Sequence, residues 1–194
     1  MYIPTTTVTA LLLALPGLVY SQTPPGFTPS TTSRLEVTYG TKSITTPGTS
    51  FTKAETSKAP TIGTTTPLPQ NGTYLYFLID VDVPANFQNP SAGARRTNLH
   101  ALIAGYKPSA TADANGTYPL TSSSTGPITY TGPAPPAENP PHPHKYVSLL
   151  FAQPEGAKIE RAQVGQTFGF DIVAFVKKTG LSEPVAGNWL EVVG

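Results

Sequence analysis

The chain has 194 residues, a formal net charge of +1, 12% charged residues and no cysteine. That length suits one domain with tails, and the missing thiols exclude disulfides, thiol catalysis and thiolate metal sites. Its densest basic pairs are Arg95-Arg96 and Lys177-Lys178, too few cations on one face to grip a phosphate backbone, so nucleic acid is not an expected partner.

Residues 1–21 read as a signal peptide. Val8 to Val19 is apolar, and Val19-Tyr20-Ser21 ends it on a small residue suited to cleavage before Gln22. The amino-terminal region lacks Lys and Arg. A membrane anchor is the competing reading, but the stretch is short for a bilayer and Pro16-Gly17 interrupts it. A secreted, extracellular protein without stable membrane insertion is expected. Two sequons, Asn71-Gly72-Thr73 and Asn115-Gly116-Thr117, are expected N-glycosylation sites, both in turn-like sequence. Asn89-Pro90-Ser91 is excluded by its proline.

Residues 22–33 are Pro/Ser/Thr-rich and read as a disordered leader, leaving 34–194 as the folded domain. Leu35–Tyr39 alternates apolar and polar, the pattern of a half-buried strand. Short strands fit Ser50–Lys53 and Ala59–Ile62. Tyr74–Ile79 is apolar throughout and reads as a buried central strand running straight into Asp80. A long loop over 84–98 follows, then a second core strand at Leu99–Tyr106 and a low-order stretch over 108–129. Prolines stiffen the loop over 132–143 before a third core strand at Tyr146–Ala152. Phe168–Lys178 fits a helix, with Phe168, Ile172, Phe175 and Val176 on one face, Thr167 as N-cap and Gly180 as the stop; a buried strand is the alternative. The segment 184–193 reads as a last short strand.

The chemistry concentrates in a few polar residues beside these strands. Asp80 and Asp82 sit two apart, so on an extended strand they share a face. Carboxylates so placed repel unless a cation lies near, and a histidine from a neighbouring strand would supply it. His100 borders the second core strand; His144 and Tyr146, again two apart, open the third. Each histidine alone also fits a satisfied core residue. Three chemistries could use the set. A divalent metal could take aspartates and histidines, but the usual close ligand spacing is missing. A histidine base oriented by an aspartate could hydrolyse an ester, but no Gly-x-Ser-x-Gly elbow is present. Imidazoles, a phenol and loop amides could hold one phosphate or carboxylate group.

Taken in order, these segments resemble the phosphatidylethanolamine-binding protein family. Asp80-Val81-Asp82-Val83-Pro84 is similar to its Asp-Pro-Asp-Ala-Pro, and Leu99-His100-Ala101-Leu102 to its strand-borne histidine segment. Tyr130–Pro136 resembles its Gly/Pro-rich loop, His144-Lys145-Tyr146-Val147 its His-Arg-Tyr-Val, and Pro184–Asn188 its late Pro-Val-Ala-Gly segment. Leu35–Tyr39 is similar to its first strand. The resemblance implies a mainly β fold, a sandwich of a large and a small antiparallel sheet with a few peripheral helices. It implies a small anion pocket lined by Asp80, Asp82, His100, Ala134, His144 and Tyr146, with Pro84 shaping the rim and a cis peptide at Val83–Pro84. No catalytic residue, metal or cofactor is implied. The partners implied are a small anion or phospholipid headgroup and, from inhibitors in the family, a secreted protease. Val81 and Val83 depart from the family motif, Ala134 replaces a glycine, and Asn98 stands near the family's aromatic. The chain stops soon after Asn188, so a more open pocket is expected. Family members are mostly intracellular, whereas this chain reads as exported.

Overall fold

The computed structural model describes residues 21–194. The signal-peptide reading over 1–21 therefore lies outside the described residues, Ser21 excepted.

The chain builds β1 (Leu35–Tyr39), β2 (Lys42–Ser43), β3 (Thr49–Phe51), β4 (Thr61–Thr64), β5 (Thr73–Val83), β6 (Arg96–Pro108), β7 (Tyr118–Thr121), β8 (Pro127–Ile128) and β9 (Pro143–Gln153). Two short helices follow, α1 (Arg161–Val164) and α2 (Ile172–Thr179), and β10 (Ala186–Val193) closes the domain. The strands form one curled sheet in the order β2-β1-β4-β7-β6-β5-β9-β10-β3, with β8 on β6. Its centre is antiparallel β6-β5-β9-β10; the β3–β10 pair is parallel. The far end of β6 hands over to β7, and the smaller β2-β1-β4-β7 portion folds back across the larger one.

Alternation along β5 explains the two cores. Tyr74, Tyr76 and Leu78 face the space between the portions, with Leu35, Val37, Ile62, Tyr146, Leu150 and Leu190. Leu75, Phe77 and Ile79 face the other way, onto Phe170, Ile172, Phe175 and Leu181 around α2. The Phe77 ring lies 5.8 Å from that of Phe175 and 5.3 Å from that of Phe151, both edge-on. Both faces of β5 are buried, hence its continuous apolar run. Asp80 and Asp82 continue the Tyr74 face past its apolar part, and they lie inside a strand longer than its apolar run suggests.

The strand at Leu99–Tyr106 carries a bulge that its sequence does not announce. Leu78 pairs with Ala101 but Ile79 pairs with Leu99, so His100 is the extra residue. A bulge turns a side chain away from its place in the alternation, and here that side chain is the imidazole.

The helix starts later than its apolar pattern indicates. Gly169 has φ of 72°, and Asp171, not Thr167, caps α2 by accepting from the Ala174 amide at 2.9 Å. Phe168 is left outside the helix, 43% exposed. The stop at Gly180 is as expected, with φ of 68° in the left-handed region. Among the described residues three X-Pro peptides are cis, at Thr28–Pro29, Gly126–Pro127 and Asn139–Pro140; Val83–Pro84, the expected one, is not among them.

Residues 22–33, read as a disordered leader, lie against the domain. Thr23 is buried, Gln22 N–H donates to Thr31 at 2.8 Å, and Gly187 N–H donates to Ser33 at 2.9 Å. On the parallel edge, the indole of Trp189 covers Gly48; a Cβ there would fall 2.7 Å from the ring.

Candidate functional site

Three adjacent strands deliver the polar residues to one end of the large sheet. Register places Asp80 on β5 beside Tyr146 on β9 and Asn98 on β6. His144 and Tyr146 share a face of β9, and the bulge on β6 brings His100 to them. The His100 ring meets Tyr146 edge-on at 5.2 Å, and the His144 ring stacks on Tyr146 at 6.4 Å. His142 lies 6.2 Å from His144, so all three histidines of the chain gather here.

His144 is the hub. Its Nδ1 meets Asp80 Oδ2 at 2.8 Å and its Nε2 meets Glu138 Oε1 at 3.0 Å, so both ring nitrogens donate to carboxylates. The three side chains are 1–4% exposed. Burial of the ring works against its charge, but the Asp80 and then the Glu138 contacts outweigh it and raise the His144 pKa above the usual 6.5. Glu138 is held in turn by Arg95, whose two guanidinium nitrogens each lie 2.7 Å from one carboxylate oxygen. That bidentate pair, then His144, brings the Glu138 pKa down to about 2 against the opposing effect of burial. Arg95 also donates to the Asp82 carbonyl at 2.9 Å.

The aspartates avoid mutual repulsion by taking different cations. Asp80 has His144. Asp82 accepts from the Lys145 backbone at 2.9 Å and from Lys145 Nζ at 3.3 Å, with His142 at 3.4 Å. Asp82 N–H ties the two together by donating to Asp80 Oδ1 at 2.8 Å.

His100 is the opposite kind of histidine. Its Nδ1 lies 3.0 Å from the Thr131 carbonyl and must donate, leaving Nε2 to accept from the Asn98 amide at 3.2 Å. Burial lowers its pKa, so the ring is neutral at pH 7. The Tyr146 hydroxyl stands between the Asp80 carboxylate and the Ala134 backbone amide, and burial, then Asp80, push its pKa far up, keeping it a hydrogen-bond donor. Pro84 is buried just past β5.

The structure thus joins Asp80, His100, Ala134, His144 and Tyr146 in one cluster and attaches Asp82 to its side. The Glu138 side chain lies over the cluster at His144. Glu138 and Arg95 escaped the sequence reading: one is an acid in a proline-rich loop, the other half of a basic pair, and 43 residues separate them. The paired carboxylates Asp80 and Asp82 called for a cation such as Arg95, but nothing in their spacing pointed to a third acid. The sequons at Asn71 and Asn115 are both exposed in turns. Among the described residues no His, Cys, Asp and Glu group could hold a metal ion, and no helix is long and apolar enough to cross a membrane.

A family model described as phosphatidylethanolamine-binding protein matches residues 31–190. A fungal protein, phomoidride biosynthesis cluster protein N of Talaromyces stipitatus, is 36% identical, with 87% of this chain and 88% of that protein covered. Among solved structures, carboxypeptidase Y inhibitor in complex with its cognate proteinase is similar at a TM-score of 0.60 and 19% identity, covering 82% of each chain. The phosphatidylethanolamine-binding protein of Plasmodium vivax is similar at a TM-score of 0.53 and 16% identity, covering 81% of this chain and 83% of that one.

Proposed function

The chain belongs to the phosphatidylethanolamine-binding protein family, and we propose that it is an exported, non-enzymatic binding protein that takes an anionic group at the His144 cluster. One observation carries this reading: Asp80 fixes Nδ1 of a buried, charge-favouring His144, leaving Nε2 as an oriented donor that already meets an oxygen anion. Tyr146 and the Ala134 amide add donors beside it. A phosphate or a carboxylate satisfies such donors equally. The family's name favours a phospholipid-type headgroup; the oriented donors themselves accept a carboxylate as readily. Binding is preferred to catalysis because both nitrogens of His100 and of His144 are engaged, which leaves neither as a base beside a nucleophile. Exposed sequons at Asn71 and Asn115 support export.

Calorimetric titration with phosphoethanolamine, inorganic phosphate and acetate tests this. Binding to the wild-type chain is expected at pH 6, weakening as pH rises through the His144 value and lost in His144→Gln. Silence toward all three at millimolar ligand sinks the reading.

A second reading, inhibition of a protease, is favoured by the likeness to carboxypeptidase Y inhibitor bound to its proteinase. Titration against secreted serine carboxypeptidases and endoproteases decides it; full activity at micromolar chain rules it out.

A further inference from the structure

Glu138 sits in the cluster in an unusual way. The stretch 129–142 has no helix or strand, and Ala137, Asn139 and Pro140 are all exposed, yet the Glu138 side chain is only 3% exposed. A surface loop therefore sends one carboxylate inward. That carboxylate makes bidentate contact with Arg95 and a third contact with His144 Nε2, a full set of strong donors for one planar anion.

Leaving aside His142, which meets Asp82 alone at 3.4 Å, the charges around it balance while it is present: Arg95, His144 and Lys145 face Asp80, Asp82 and Glu138. Without Glu138, three cations would face two carboxylates around a space of carboxylate size. A buried site left with uncompensated positive charge gains from any anion that can enter.

We infer that Arg95 and His144 form a carboxylate-binding fork, and that Glu138 is a tethered occupant of it which a free acid must displace. This rests on the His144 cluster being the anion site, and it adds Arg95 to that site, names carboxylate as the ligand class and explains why the resting site is closed. A tethered group competes at an effective concentration in about the millimolar range, so free acids bind the wild-type chain with reduced apparent affinity, scaled by the fraction of time Glu138 is out.

The experiment compares acetate binding by the wild-type chain, Glu138→Ala and Glu138→Gln at pH 6, with methylphosphonate as a tetrahedral probe. Binding is read by titration calorimetry, by acetate-dependent melting temperature and by the shifts of the histidine ring protons. Glu138→Ala should bind acetate at least about tenfold more tightly than wild type, gain melting temperature from it, and prefer it to methylphosphonate. Arg95→Gln placed in that background should remove the gain. Should Glu138→Ala fail to fold, Glu138→Gln, which keeps the shape and loses the charge, should still bind acetate more tightly than wild type. Equal acetate affinity in wild type and variants overturns the occupant while leaving the anion site standing. A wild type silent toward acetate beside a responsive Glu138→Ala supports the occupant, and tells against the wild-type chain as an open acetate receptor. A preference for methylphosphonate overturns the carboxylate assignment.

Discussion

His144 and His100 lie two strands apart, yet burial acts on them with different outcomes. His144 has carboxylates on both nitrogens and its pKa rises; His100 has a carbonyl and an amide and its pKa falls. The signs follow from linkage. A raised imidazole value contributes stability that is fully present below 6.5 and lost as pH climbs through the folded value. The lowered Glu138 value contributes stability present above its usual 4.5 and lost as pH falls toward about 2. His100 works against His144, because its neutral preference costs stability below 6.5. Between about 4.5 and 6.5 the Asp80–His144–Glu138–Arg95 chain is therefore intact. Wild type and His144→Gln, melted across pH 4 to 9, should differ most in that window and converge at high pH; a constant difference would refute the charged His144. Because Asp80 loses its buried partner, His144→Ala should cost about 3–5 kcal/mol at pH 6.

At the scale of elements, legibility followed the density of the pattern. The central strands could be read because two-sided burial demands unbroken apolar sequence, as in Tyr74–Ile79. β7 was hidden in a stretch read as low-order, since Tyr118-Pro119-Leu120-Thr121 is short and holds a proline. The start of α2 was misplaced because Phe168 keeps the apolar spacing while Gly169 breaks the backbone. In the site, Asp80 with Asp82 and His144 with Tyr146 were legible from their two-residue spacing, and His100 from the family resemblance; the bulge at His100 and the Arg95–Glu138 pair were not, because tertiary pairing creates both. The α2 contacts rank two substitutions. Phe175→Ala empties the space against Phe77 and Phe170 and should cost about 3–5 kcal/mol in urea unfolding. Asp171→Ala removes only the cap and should cost about 1 kcal/mol. A reversed order would mean that α2 is held by its own hydrogen bonds rather than by docking.

For the whole molecule, the decisive device is the fold-back of the smaller sheet portion over the larger one. Apolar packing fills the space between them, and a buried polar side chain adds a tie to the backbone link at Gly187. Asn188 on β10 is fully buried, donates to the Leu35 carbonyl on β1 at 2.9 Å and accepts from the Trp189 amide at 2.9 Å. Asn188→Leu keeps the volume and leaves a buried carbonyl unpaired, at a cost of about 1–3 kcal/mol. Unchanged stability in urea would show that packing alone sets the fold-back.

The chain has a single tryptophan, and it is the residue that roofs Gly48 at the parallel β3–β10 edge. Its emission is therefore a one-point optical gauge. A shift in wavelength on unfolding times the exposure of β10 where it meets Gly48 and β9, and in a ligand titration the colour of the fluorescence separates motion there from events at the histidines, which the dye-free protein reports through its ring protons.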